Sequence, residues 1–189
     1  MSPGGWELGG WLAVPVDKPV TRGIVIGHGY AGRQGPEVEW CVPGAALFFP
    51  CVRGLGLSRR EGVSQVPQRH VLVGIESPET SILRGCVTDI WSAASALIEC
   101  VPEAAVRLDF VGASMAGGLG IMAMAFDERF SAGHVEIATF GHHRLRLRLA
   151  CIGSGHALTL YSREHPGVVD TLSYLDPAVA VQFLKRPVQ

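Results

Sequence analysis

The sequence predicts an α/β fold, a mostly parallel sheet with helices on both faces. Three observations predict it. Short apolar runs, GIVIGHG (23–29), ALFFPCV (46–52) and VRLDFVG (106–112), are rich in β-branched or aromatic residues and closed by glycine or interrupted by proline. Such continuous runs are what strands buried on both faces look like. Segments of helical spacing alternate with them, as βαβ units require. Finally, 189 residues without a repeat, a low-complexity tract or an interdomain linker make one domain, 1–189.

Each element follows from local chemistry. GIVIGHG reads as a strand passing into a loop, and ALFFPCV as a second strand interrupted by Pro50. From Gly85 to Val101, the residues Val87, Ile90, Trp91, Ala94, Leu97 and Ile98 share one face at helical spacing, and Pro102 stops the helix. VRLDFVG is a third strand, and 115–126 an apolar helix opened by small residues. HVEIATF (134–140) alternates like a strand. SYLDPAVAVQFLKR (173–186) reads as a helix with Asp176 as N-cap and Pro177 in its first turn, and RPVQ begins a further element.

Composition narrows the function. Lys and Arg number 16 against 17 Asp and Glu, a net charge of −1, and no basic block marks a nucleic-acid surface. The densest basic stretch, HHRLRLRL (142–149), alternates with leucine as a half-buried strand or helix does; a membrane or polyanion contact is the sharper reading. The N-terminal MSPGGWELGGWLAVP lacks the pattern of a secretory signal, and no apolar run reaches the ~20 residues of a membrane span. A soluble, cytoplasmic protein is expected. The five cysteines are widely spaced and form no ligand pattern, so neither a metal nor any other cofactor is expected.

VGASMAGG (111–118) places Ser114 between a strand and a helix, flanked two before and two after by Gly112 and Ala116. A tight strand-to-helix turn needs small residues there and lifts the serine out of the sheet. A serine hydroxyl becomes a nucleophile only with a base, an orienting group and N–H donors aimed at the oxyanion. GHGYAGRQG (27–35) follows the first strand, where it can supply one donor from the Tyr30 backbone; Met115 N–H supplies the other. His28 reads as a brace for that loop. A phosphate-binding loop is disfavoured, because VGASMAGG lacks both the P-loop lysine and the dinucleotide glycine spacing.

HGYAGRQG, Trp40, VRGLGLS (52–58), LRGCVTD (83–89), VGASMAGG and TLSYLD (171–176), in this order, resemble the acetyl xylan esterase and cephalosporin-C deacetylase family of α/β-hydrolase serine esterases. The resemblance implies an α/β-hydrolase-like sandwich that removes acetyl groups from small acetylated substrates, such as acetylated sugars or cephalosporin-like esters. It matches Ser114 to the nucleophile, Tyr30 and Met115 to the oxyanion N–H positions, Arg53 and Gly54 to an Arg-Gly pair, and about 142–170 to a cap segment. It also implies an intracellular homo-oligomer. Peptidases and lipase-like esterases share the elbow, but TLSYLD and HGYAG weigh against them.

Departures from the family pattern stand beside these matches. Met115 replaces a glutamine, Ala116 a glycine and Cys51 an aspartate, while SIL (81–83) and Gly155-His156-Ala157-Leu158 replace a tyrosine-rich and a Pro-Tyr-x-Glu segment. The family has a longer N-terminal segment, and its triad aspartate and histidine follow a strand that here would begin near Pro187. The expectation is therefore a family member truncated at both ends, with an incomplete C-terminal part and no matched triad Asp or His. His142, His143, His156 and His165 follow the serine as possible substitutes; Asp170 and Asp176 read as a loop carboxylate and a cap. The alternative to an esterase is a non-catalytic, degenerate member acting as a structural partner.

Overall fold

A computed structural model describes residues 2–189. Its strands are β1 (Gly10–Ala13), β2 (Arg22–Ile26), β3 (Ala45–Pro50), β4 (Leu108–Ala113) and β5 (Phe130–Glu136). Its helices are α1 (Pro67–His70), α2 (Ile82–Cys100), α3 (Met115–Ala125), α4 (His143–Arg146), α5 (Gly153–Glu164), α6 (Val168–Tyr174) and α7 (Pro177–Ala180). The sheet order is β1-β3-β2-β4-β5, with β1 antiparallel and the other pairings parallel. This is the mostly parallel α/β sheet that the sequence predicts.

Side-chain alternation splits the sheet into two faces. Val25, Ala46, Leu108 and Phe110 join the larger core, packed by Val87, Ile90, Ala94 and Leu97 of α2 and by Leu119, Met122 and Ala123 of α3. Ile24, Ile26, Leu47 and Phe49 form a smaller cluster on the opposite face, met by Trp11, Trp40 and Val42. Helical cover is therefore unequal: among the described residues, the 3-10 turn Val38–Trp40 is the helical segment that contributes on this second face. The connection from β2 to β3 carries Gly32, Gly35, Pro36, Pro43 and Gly44, which interrupt any longer helix there.

Two expected elements end differently. The strand read over 134–140 runs instead from Phe130 to Glu136, and Ile137, Phe140 and His142 adopt positive φ in a loop. Its alternating apolar residues fit a strand, but the chain turns away to cover the first turn of α3. The helix read over 173–186 is divided: α6 ends at Tyr174, Asp176 caps α7, and a 3-10 turn finishes at Phe183. The Asp176 carboxylate accepts the Ala178 N–H at 2.8 Å, so the cap is as read, and Pro177 starts the new helix. RPVQ pairs with β5 only through an isolated bridge. Val188 bridges Gly133 in parallel, and Gly133 N–H donates to Pro187 O at 3.0 Å. No helix among the described residues is long and apolar enough to cross a membrane.

Candidate active site

Ser114 is the corner between β4 and α3, with φ 53° and ψ −118°. A non-glycine residue rarely adopts this conformation, so surrounding bonds must hold it. They do so from both sides. Ser114 N–H donates to Glu136 O at 3.0 Å, and Ser114 O accepts Gly118 N–H at 3.2 Å and Thr139 N–H at 3.0 Å.

The small neighbours are required by contact. A Cβ on Gly112 would lie 2.9 Å from the Phe110 ring and 3.0 Å from Ala116. The Ala116 methyl is accommodated because residue 27 is glycine: a Cβ there would come within 2.6 Å of it. The alanine in this elbow thus trades against a glycine in the opposing loop. Met115 is fully buried in the core, which leaves only its backbone to face the site.

The GHGYAGRQG loop lies directly against the elbow, since a Cβ on Gly29 would stand 3.7 Å from Ser114 Cβ. Buried Arg33 closes the loop on itself, donating to Ile26 O at 2.8 Å and Gly27 O at 3.0 Å, and pairing with Glu37 at 3.4 Å. His28 braces it: Nδ1–H donates to Gly29 O at 2.7 Å and Nε2 accepts Val52 N–H at 3.3 Å. Burial, reinforced by the nearby Arg33 charge, pushes the His28 imidazole down to about 4 and keeps it neutral. Tyr30 stands edge-on to His70 and to Phe140, with ring centroids 5.5 and 6.4 Å away. Burial raises its phenol well above the ordinary value.

The VRGLGLS and LRGCVTD segments meet in one ion pair. Arg53 binds Asp89 through Nε at 3.0 and 3.1 Å and Nη2 at 2.6 Å, while Arg53 N–H donates to the same carboxylate at 2.7 Å. Gly85 lies one helical turn before Asp89 on α2, and any Cβ there would collide with the Arg53 guanidinium. These residues position the loop after β3 rather than the chemistry. Cys51, two residues before Arg53, is fully buried.

A family model described as acetyl xylan esterase (AXE1) matches residues 2–189. This chain belongs to the acetyl xylan esterase family. An acetyl xylan esterase from a Paenibacillus species is 22% identical, covers 99% of this chain and 64% of its own, and superposes with a TM-score of 0.87. Acetyl xylan esterase 1 from a Thermoanaerobacterium species is 20% identical over 94% of this chain and 61% of its own, with a TM-score of 0.73. An acylaminoacyl peptidase from Pyrococcus horikoshii, 18% identical, shares the fold over 97% of this chain and 29% of its own, at a TM-score of 0.70. The chain therefore spans less than two thirds of the two esterases it resembles. No match to a curated protein is found.

Within this acetyl xylan esterase fold, the candidate substitute bases are turned elsewhere. His143 is buried, its Nε2 donating to Leu175 O at 3.3 Å, and desolvation pushes it down to about 4. His142 Nδ1 accepts Leu145 N–H at 3.3 Å, His165 packs on Tyr161 with centroids 4.3 Å apart, and His156 is exposed on α5. Asp176 is occupied by three N–H donors, from His142, His143 and Ala178 at 2.7 to 2.8 Å. Asp170 is exposed on α6. The Ser114 hydroxyl has no hydrogen-bond partner among the described residues.

Sequence reasoning missed Arg33, His70 and the pair His134 and Glu136. That pair is joined at 3.1 Å and lines a cavity of about 180 Å³ with Gly29 and Ala113 beside the elbow. Strand register sets Glu136 opposite Ala113 and His134 opposite Val111. The Glu136 backbone is thus nearer the serine than that of His134. A larger apolar groove of about 790 Å³ runs between α2, α3, α6 and α7 and does not include Ser114. Among the described residues, no cluster of three or more His, Cys, Asp or Glu could hold a metal ion.

Proposed function

We propose that this chain carries the nucleophile half of a serine acetyl esterase active site. Ser114 attacks the acetyl carbonyl, and the backbone N–H groups of Tyr30 and Met115 stabilise the oxyanion before water releases acetate. The single observation that supports this most is the strained serine elbow, bonded on both sides and roofed by the Gly29 loop. The substrate class is a small acetyl ester, an acetylated sugar or a cephalosporin-like ester, with segment 142–170 serving as a cap. The five cysteines are free thiols, consistent with a cytoplasmic setting. Exposed Phe126, Tyr174, Val179 and Phe183, with exposures of 44 to 78%, favour a homo-oligomer that covers them.

Without a histidine on the hydroxyl, a serine hydrolase retains only the part of its rate that oxyanion stabilisation and binding supply, about 10³–10⁴-fold over water. That residual needs no serine, so hydrolysis of 4-nitrophenyl acetate is expected to be slow and about equal for wild type and Ser114→Ala. The deciding test is covalent: fluorophosphonate labelling at Ser114 supports the nucleophile, and no labelling under conditions that label a serine esterase rejects it and favours the non-catalytic family member.

A further inference from the structure

Two imidazoles on different elements grip consecutive residues of the loop after β3. His28 Nε2 accepts Val52 N–H at 3.3 Å, and His70 Nε2–H donates to Arg53 O at 3.0 Å. Both rings turn their second nitrogen toward the loop that roofs Ser114. His28 Nδ1–H holds Gly29 O at 2.7 Å, and His70 Nδ1 accepts the Tyr30 hydroxyl at 3.3 Å. Each ring therefore works as a neutral tautomer with one donor and one acceptor, in opposite senses. His70 is fully buried at the end of α1, and Gly54, with φ +82°, makes room for it: a Cβ there would lie 2.8 Å from His70 Nε2. Phe140 closes the other side of the Tyr30 ring.

We propose that His70 is a positioning residue for the oxyanion loop: through the Tyr30 hydroxyl and Arg53 carbonyl it fixes Tyr30 so that its backbone N–H faces the carbonyl oxygen that becomes the oxyanion when Ser114 attacks. His28 completes the clamp from the neighbouring residue. The assignment rests on the esterase reading for its catalytic meaning, while the clamp itself is a property of the fold. It also accounts for a feature a backbone donor alone leaves unused, the half-buried Tyr30 phenol.

Amide hydrogen exchange over residues 27–33 tests the clamp in the 189-residue chain, comparing wild type with His70→Phe, Tyr30→Phe and the double variant. Both single variants are expected to speed exchange in this loop about tenfold, which corresponds to ~1.4 kcal/mol of lost local stability. The amides of β2 and β4 should be unaffected, and the double variant should exchange no faster than either single one. His70→Gln, which keeps one donor and one acceptor, should recover much of the protection. In ¹⁵N spectra, His70 should show an unprotonated Nδ1 whose resonance shifts in Tyr30→Phe. Unchanged loop exchange in His70→Phe, acceleration spread evenly over the sheet, or a protonated Nδ1 would overturn the proposal. Labelling of Ser114 by a fluorophosphonate reports separately on the esterase reading. A loop that loosens as expected around an unreactive Ser114 would remove that reading and leave the clamp.

Discussion

Ser114 combines two demands that oppose each other. Its φ of 53° and ψ of −118° cost of order 1–3 kcal/mol for a residue with a Cβ, yet the same geometry lifts its hydroxyl out of the sheet. The bonds from Glu136, Gly118 and Thr139 to its backbone maintain the conformation. Replacement by glycine removes the strain but adds freedom to the unfolded chain, which returns ~0.5–1 kcal/mol. Ser114→Gly is accordingly expected to be more stable than Ser114→Ala by about 1 kcal/mol. Chemical denaturation of the two variants checks this. Coincident transitions would show that the elbow is not strained in solution.

At the scale of elements, α3 shows how closely the serine corner is fitted. Its first turn carries Gly117 and Gly118, which face the loop after β5 rather than the sheet: Ala138 lies 3.1 Å from a Cβ placed on Gly117, and the Thr139 carbonyl overlaps one placed on Gly118. The residue that lets α3 approach the sheet is Gly120, whose Cβ would collide with the buried Phe110 ring. Gly118→Ala gains about 1 kcal/mol of helix propensity but must displace a backbone carbonyl that no rotamer change can move. The expected result is a net loss of about 2 kcal/mol in urea unfolding, with displacement of Thr139 from Ser114. A neutral or stabilising alanine would show that the loop is free to move. These contacts also explain what the sequence reveals. β2, β3 and β4, α2 with its Pro102 stop, the elbow and the Asp176 cap are local patterns, and each is where its residues indicate, whereas β1, short and bounded by glycine, is not legible in the sequence. The end of β5 is not local: Ile137–Phe140 has strand-like composition, but Thr139 N–H bonds Ser114 O and the segment packs as a loop into the space that Gly117 and Gly118 leave open. His70 and Arg33 were likewise illegible, because their partners, Tyr30 with the Arg53 carbonyl and the Ile26 and Gly27 carbonyls, are named by the fold rather than by spacing.

For the whole molecule, stability depends on buried neutral histidines contributed by separate parts of the chain. His28 comes from the loop after β2, His70 from α1 and His143 from α4, and burial lowers all three. Arg33 opposes a charge on His28, Arg146 one on His143, while Asp89 favours a charge on His70 and Asp176 one on His143. The sign follows from proton binding. Between the ordinary value of 6.5 and the folded value of about 4, His28 takes up a proton in the unfolded chain but not in the folded one. Stability is therefore constant above the ordinary value and lost as the pH falls through this window. For His28 alone the full loss is on the order of 3 kcal/mol, with His70 and His143 adding in the same direction. That is a large share of a typical domain's ~5–15 kcal/mol. Urea midpoints should be level near pH 7.5 and drop progressively toward pH 4.5, and His28→Gln should flatten the decline. A midpoint that holds steady across this range would mean the imidazoles are already charged in the fold, which is incompatible with His28 accepting the Val52 N–H and with His70 accepting the Tyr30 hydroxyl.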